Sequence, residues 1–213
     1  LQNLKRPFLD QLLLHAPDPA TPKEETLGAL KELLAAGQIR SWGLSNFAAW
    51  QCAAWRDAAL AKGLPPPASL QVLYNLLLRE AELELLPWAE SASMNVTVFN
   101  PLAGGLLAMN EPSTGALGAR FNNPIYKRRY ATRLRQRAAM LCDLATKEGT
   151  DLATLALAWL IHRRGVGGVL LGPATLAHLE HAAVAATFQL SPTALAAIEA
   201  EHLTARGSDS WYV

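Results

Sequence analysis

Four places in this sequence put polar side chains where chemistry could happen. His15 closes the short apolar run Gln11–His15 and is followed by Ala16-Pro17-Asp18. An imidazole there can polarise a carbonyl oxygen or donate to it; the plainer alternative is a hydrogen-bonded histidine at a strand end. Ser45 and Asn46 close the next run. A hydroxyl beside an amide can hold a carboxamide-bearing ring, although both residues are also good helix caps. Gln71 stands inside an apolar stretch. A buried amide needs partners, and one pointing into a barrel can find them on a ligand. Asn100-Pro101-Leu102-Ala103-Gly104-Gly105-Leu106 follows an apolar run directly, and its glycines permit close backbone approach to a phosphate. A merely flexible loop would read the same way.

Two further segments are weaker signals. Gly172-Pro173-Ala174-Thr175 joins an apolar run to a helix, whose first N–H groups and dipole suit an anion. Tyr126-Lys127-Arg128-Arg129-Tyr130, with Arg133, Arg135 and Arg137 beyond, is a basic run. It reads as a solvated helix start or as a patch for an acidic substrate or partner. No zinc spacing, Walker loop or GxSxG elbow occurs, and His178 and His181, three apart, read as a surface pair rather than metal ligands.

The elements that must position these residues alternate. Strands are expected at Gln11–His15, Arg40–Asn46, Leu70–Asn75, Asn95–Asn100 and Gly167–Leu171. Thr21-Pro22-Lys23-Glu24 has the form of a helix start, with Thr21 as cap and Glu24 at the capping-box position. Leu27, Leu30 and Leu34 then make one apolar face, and Gly37 ends the helix. Further helices are expected at Ala48–Lys62, from Glu80 to Ala92, Tyr130–Lys147, Leu152–Arg163, and from Leu176 and Pro192, with a loop from Gly104 to Tyr126. Strict strand–helix alternation means parallel βα units. Near-continuous apolar strands should be covered on both faces. The polar residues fall at the strand C-terminal ends, where α/β barrels and doubly wound sheets place their sites.

Composition excludes more than it selects. The 213 residues are 51% hydrophobic and 17% charged, with 19 Lys plus Arg against 18 Asp plus Glu. Such a balance gives no global field for nucleic acid. No apolar run is long enough to span a bilayer. Cys52 and Cys142 form no CxxC pair and no disulfide framework, which favours a reducing, intracellular setting, the cytoplasm first among them.

Taken in order, the segments LLLHAPD, TPKEETLGALKELLAAGQIRSWGLSNFAAW, YNLL, FNPLAGGLL and VLLG resemble the aldo-keto reductases, and HAPD, SNFAAW and FNPLAGGLL resemble their aflatoxin-aldehyde-reductase branch. The resemblance runs from Phe8 to about His202. It implies an α/β fold, a (β/α)8 TIM barrel of which this chain holds about five parallel βα units, in one partial barrel domain over 1–213. It also implies NADPH as cofactor and hydride transfer to an aldehyde or ketone. By that resemblance His15 matches the catalytic histidine, and Ser45, Asn46 and Gln71 match residues holding the nicotinamide carboxamide. Asn100 to Leu107, with Pro101, Leu102, Gly104 and Gly105 among them, match the loop over the pyrophosphate. Arg120 matches a loop arginine near the cofactor. Gly172 to Glu180, including Thr175 and His178, match the adenosine and 2′-phosphate segment. Tyr126 and Arg129 fall where the branch has substrate-side residues.

The departures set up two readings. The family's Asp, Tyr and Lys lie on strands before the one ending in His15 and are not in these residues. The branch reads GGLLTGK where this chain reads GGLLAMN, so Asn110 replaces a phosphate-binding lysine. In the last segment Ala174, His178 and Ala182 stand for serine, glutamine and asparagine, and the chain closes on Val213 rather than an arginine. A charge-assisted hydrogen bond contributes about 1.5–3 kcal/mol, so losing two or three weakens or abolishes NADPH binding. Five strands also leave two open sheet edges, so another chain or self-association is expected to cover them. One reading is a redox-inactive structural or binding subunit of a larger assembly. The other is part of an active NADPH-dependent aldehyde reductase completed by a further segment or chain.

Overall fold

A computed structural model describes residues 1, 4–112, 119–130 and 132–207, apart from the side chains at 119, 120 and 132. Five parallel strands, β1 (Leu9–Leu14), β2 (Ile39–Ser45), β3 (Ser69–Leu73), β4 (Asn95–Phe99) and β5 (Gly168–Val169), form one sheet in sequence order. Among the described residues the helices are α1 (Lys23–Ala35), α2 (Ala49–Ala61), α3 (Leu85–Ser91), α4 (Pro124–Arg129), α5 (Thr132–Lys147), α6 (Leu152–Ile161), α7 (Leu176–Thr187) and α8 (Pro192–Arg206). The order of elements and the parallel pairing are those of a partial (β/α) barrel.

The chain divides into two compact units. The first holds Leu1–Leu73, Glu80–Phe99 and Gly165–Gly168. Its register explains why the strand patterns look as they do. Leu14 pairs with Leu44, Leu44 with Leu70 and Leu70 with Val96. Leu44, Leu70 and Val96 are almost fully buried, as are Trp42, Val72 and Val98 on the same face. Side chains alternate along a strand, so the opposite face carries Gly43, Ser45, Ser69, Gln71, Asn95 and Thr97. That face is packed tightly at Gly43, where an added Cβ would lie 2.6 Å from the Ser69 carbonyl oxygen. Helix α1 buries Leu27 and Leu30, each contributing about 1.5–3 kcal/mol by leaving water.

The second unit holds Tyr74–Arg79, Asn100–Arg164 and Val169–Val213. Its centre is α6, whose residues Leu152 to Leu160 are all buried. A helix apolar on every side has to be enclosed, and Ala182 and Ala185 of α7 supply small residues against Leu157. Arg137 is also interior. It donates to both Glu201 carboxylate oxygens, at 2.6 and 2.9 Å, and to the Leu77 carbonyl.

Several expectations are corrected. Thr21 does not cap α1: its hydroxyl donates to Asp18, and Pro22 takes the cap position with no side-chain bond, so Glu24 completes no capping box. Gly37 does end α1, at φ +64°, with Gln38 N–H bonding Leu33 and Gly37 N–H bonding Leu34. The Glu80–Ala92 helix is a 3-10 turn at Glu80–Glu82 followed by α3. The expected Gly104–Tyr126 loop contains 3-10 turns at Ala103–Ala108 and Ala119–Asn122 and the start of α4, where Asn123 accepts from the Ile125 N–H and Pro124 fits the first turn. Strand β5 is two residues long rather than five, since glycines weaken a strand. Full cover of both faces fails at β1, where Asp10 and Gln11 are exposed and Leu12 to Leu14 half-exposed.

Candidate functional site

The first unit positions four of the candidate residues at the ends of β1 to β3. Ser45 pairs in register with Gln71, so both side chains rise from one face of the sheet. Ser45 is 3% exposed while Gln71 is half-buried. Asn46 follows with a left-handed φ of +63°, which asparagine tolerates. Its amide donates to the His15 carbonyl at 2.8 Å and to the Ser45 hydroxyl at 3.1 Å. The capping alternative for Ser45 and Asn46 therefore fails: the cap position of α2 is Ala48, whose N–H is accepted by Gln51. These bonds tie the ends of β1 and β2 together and leave the His15 ring exposed. Among the described residues, neither the His15 ring nor the Gln71 carboxamide has a hydrogen-bond partner, so both remain available to a ligand.

The second unit holds a cavity of about 590 Å³. Its walls are Asn100 to Leu102, Gly104, Gly105 and Ala108 on one side, Leu170 to Ala174 with His178, His181 and Ala182 on another, and Ala153 and Leu157 of α6 at the base. Two segments about seventy residues apart in the sequence, both singled out from it, thus line one space. Ligand pockets of this kind run from about 300 to 1,000 Å³ and are mostly apolar with few polar groups.

The loop at Asn100 is held from inside. Asn100, Ala103, Gly104 and Gly105 all have positive φ. The Asn100 carbonyl side-chain oxygen accepts the Gly104 N–H at 2.7 Å, and its amide donates to the Tyr130 hydroxyl at 2.6 Å. Fully buried Asn75 donates to the Asn100 backbone carbonyl at 3.0 Å and accepts from the Leu77 and Leu78 N–H groups. A Cβ on Gly104 would come 2.7 Å from the Tyr126 ring, whereas one on Gly105 would meet nothing. The backbone at Gly105 therefore presents itself without a side chain in the way.

Across the cavity, Thr175 caps α7 by accepting the His178 N–H at 3.2 Å. His178 is exposed and the His181 side chain is 42% exposed, as a surface pair would be, but His181 has partners. The His181 Nε2 lies 2.7 Å from an Asp151 carboxylate oxygen and 2.9 Å from the Thr154 hydroxyl. Asp151 also caps α6, accepting the Thr154 N–H at 2.9 Å. Partial burial works to raise the Asp151 pKa, but the Thr154 N–H, the His181 ring and the Thr154 hydroxyl outweigh it and hold the carboxyl below its ordinary value.

Glu180, Tyr126 and Arg129 are not among the described lining residues of the cavity. Glu180 is exposed on α7. Tyr126 packs edge-on against Phe121, 6.1 Å between ring centres, and tilted against Tyr130, and Arg129 closes α4 half-buried. Arg120 falls in the 3-10 turn Ala119–Asn122, and its side chain lies outside the described residues, as does Val213. The basic run is split by its surroundings: Lys127, Arg128 and Arg133 are exposed, Arg135 donates to the Pro112 carbonyl, and Arg137 is buried on Glu201. Sequence reasoning missed Asp151, Thr154 and Tyr130. An Asp directly before the apolar run of α6 is a helix-start signal, but its partnership with a histidine thirty residues on has no local trace.

A second cavity, about 470 Å³, is lined by Trp159, Arg163 and Glu199 among others. Its charges answer one another, Glu199 accepting from Arg79 at 2.7 Å and Arg163 at 3.0 Å. Among the described residues no three His, Cys, Asp or Glu side chains are grouped to hold a metal ion, and no helix is long and apolar enough to cross a membrane.

Residues 1–202 match the model of the aldo/keto reductase family. Aflatoxin B1 aldehyde reductase member 2 of Mus musculus is 34% identical over 198 residues, covering 84% of this chain and 54% of that protein. Aldo-keto reductase family 7 member A3 of Homo sapiens is 32% identical over 204 residues, covering 87% and 62%. Aflatoxin B1 aldehyde reductase member 2 of Homo sapiens is 31% identical over 233 residues, covering 100% and 65%. The chain thus spans between 54% and 65% of the length of these relatives.

Proposed function

Since the chain belongs to the aldo/keto reductase family, we propose that it binds a nicotinamide dinucleotide in the cavity of its second unit but that residues 1–213 do not by themselves transfer the hydride. The observation that carries this reading is the meeting of the Asn100–Gly105 loop and the Gly172–His178 segment on one 590 Å³ space. The donor set fits a dinucleotide: left-handed backbone around two glycines for a pyrophosphate, an apolar base at Leu157 and Ala182, and two imidazoles. Within the first unit, Ser45, Asn46 and Gln71 offer a set suited to a carboxamide, Gln71 through an amide open to partners. When bound, the dinucleotide supplies the hydride. The chain's own part is to orient the carbonyl carbon and hold a proton near its oxygen, for which these residues offer the His15 imidazole.

Proton donation to the carbonyl oxygen needs an acid whose pKa a neighbouring cation lowers. The tyrosine, lysine and aspartate that do this in the family have no counterparts within residues 1–213. On this reading the 213 residues act as a nucleotide-binding or structural part of a larger assembly, in which another chain or a second copy covers the edge of β1. The exposed His15 ring favours a second reading, in which a further segment or chain brings those three groups to it and the whole reduces aldehydes, the substrate class named for its relatives. Native mass spectrometry of the protein from its own source, with ligands retained, separates the two. A heteromeric complex that carries nucleotide yet does not consume NADPH with an added aldehyde supports the first reading. A chain or complex that consumes it supports the second. Absence of nucleotide at millimolar concentration would remove both.

A further inference from the structure

Asn75 is fully buried and is not among the described lining residues of the 590 Å³ cavity, yet its side chain reaches a loop that does line it. The two ends of that side chain serve different partners. Its oxygen accepts the Leu77 N–H at 3.0 Å and the Leu78 N–H at 3.1 Å, both within its own turn. Its amide donates outward, to the Asn100 carbonyl at 3.0 Å and more loosely to the Tyr130 hydroxyl at 3.5 Å. We propose that Asn75 is a positioning residue for the dinucleotide, fixing through the Asn100 carbonyl the left-handed backbone against which the pyrophosphate would lie. The inference rests on the dinucleotide reading above and adds to it a residue that the ligand itself does not meet.

The turn that carries Asn75 is closed without help from the amide. Asn75 and Leu78 exchange two backbone hydrogen bonds, at 3.2 and 3.1 Å, and Leu76 and Leu77 are each 2% exposed. Arg137 donates to the Leu77 carbonyl at 3.1 Å. The turn is therefore a fixed support, and the amide is the part of Asn75 that the turn does not use. The loop, by contrast, has to be held. Asn100 at φ +58° and Ala103 at φ +52° occupy a region that costs free energy for any residue with a side chain, and such backbone persists only where its surroundings fix it. Two hydrogen bonds converge on the Asn100 carbonyl, one from the Ala103 N–H at 3.1 Å inside the loop and one from Asn75 outside it. The Asn100 side chain turns back on Gly104 and Tyr130. The Asn75 bond thus joins the strained run to a support that does not belong to it. An amide has two donor hydrogens and two acceptor lone pairs, and all four are engaged here, so no other side chain of this size reproduces the arrangement.

The two ends can be separated by substitution. Asn75→Asp keeps an acceptor for Leu77 and Leu78, whereas an ionised carboxylate has nothing to donate to Asn100. Asn75→Ala removes both ends without burying a charge. Leu27→Ala, in the buried face of α1, is the control for lost stability alone. Each full chain is titrated calorimetrically with NADPH and with NADH, and amide hydrogen exchange is followed by mass spectrometry over residues 76–79 and 100–107. For both Asn75 variants a Kd about tenfold above that of the natural chain is expected, with faster exchange over 100–107. In Asn75→Asp the protection of 76–79 should remain. Leu27→Ala should bind within about twofold of the natural chain, because distant sites act independently. If Asn75→Asp does not fold, Asn75→Ala against the control decides the matter. A folded Asn75 variant that binds as tightly as the natural chain, or a control that loses as much affinity, shows a purely structural role and overturns the proposal while leaving the dinucleotide reading standing. Failure of the natural chain to bind either nucleotide removes the dinucleotide reading, and this inference with it.

Discussion

The Asn100 amide donates to the Tyr130 hydroxyl at 2.6 Å while its oxygen accepts the Gly104 N–H at 2.7 Å, so one side chain holds a run of left-handed backbone to a buried ring. Tyr130 is 2% exposed and comes from the end of the basic run, not from any segment that looks like a binding loop. Tyr130→Phe keeps the ring against Phe121 and Tyr126 but leaves the Asn100 amide short of a partner. A loss of about 1–3 kcal/mol is expected, read from urea midpoints. Nucleotide affinity should fall more than the stability loss alone accounts for, because the loop that lines the cavity loosens; equal affinity in the folded variant would show that the loop holds without this bond.

Gly43 tests the face that carries Ser45 and Gln71. A Cβ there would lie 2.6 Å from the Ser69 carbonyl oxygen and 2.7 Å from Leu13. Backbone cannot step aside as a side-chain end can, so Gly43→Ala should cost about 1–3 kcal/mol despite its small volume. Chemical denaturation measures this, and a neutral result would mean that β2 and β3 separate freely.

Arg137 and Glu201 are each 10% exposed in their side chains, and the arginine bonds both carboxylate oxygens. Removing one partner strands the other charge inside. Arg137→Ala should therefore destabilise by about 3–5 kcal/mol, whereas a double replacement by apolar residues of similar size should recover most of it. A double-mutant cycle on thermal stability decides between that and independent contributions.

Asp151 sets a pH dependence. Its carboxyl is held below the ordinary value of 3.8, so the folded state prefers the ionised form more than the unfolded chain does. Its contribution is present above the unfolded value and is lost as pH falls through the lower, folded one. The side chain is about half exposed (52%), so the effect is small, under about 1 kcal/mol. Wild type should exceed Asp151→Asn in stability near neutral pH, and the difference should close below pH 3.8. A difference that widens on acidification would contradict the assignment.

The two thiols should behave differently. Burial pushes the Cys52 thiol up to about 12, and it is fully enclosed. Cys142 is partly exposed and is raised by burial and then by Asp143 and Asp151. A disulfide reagent at mildly alkaline pH should label Cys142 first and reach Cys52 only on unfolding. Equal labelling rates in the folded protein would show that α2 opens readily.

Much of the molecule was legible locally. The alternation of apolar runs and amphipathic segments marked five strands and the parallel sheet, because a buried parallel strand needs apolar residues throughout and a helix after it. Gly37 marked a helix end for reasons of backbone geometry confined to a few residues and acts as expected, and the helix expected from Pro192 does start there, with Ser191 accepting the Ala194 N–H at 3.0 Å. Thr21 failed as a cap because Asp18, only three residues away, competes for its hydroxyl. The short strand β5 and helix α4 were misjudged because Gly167, Gly168 and Pro124 each permit more than one local structure.

The sequence by itself determined the order of elements, the family and the two segments that could face a nucleotide, since periodicity, turn residues and motif order are written along the chain. Only the tertiary structure decided that Asn100–Gly105 and Gly172–His178 line one cavity, that Tyr130 props the first of them, and that Asp151 meets the ring of His181. A hydrogen bond between side chains thirty residues apart depends on where helices α6 and α7 pack, and packing is settled by the whole apolar interior rather than by the residues that make the bond.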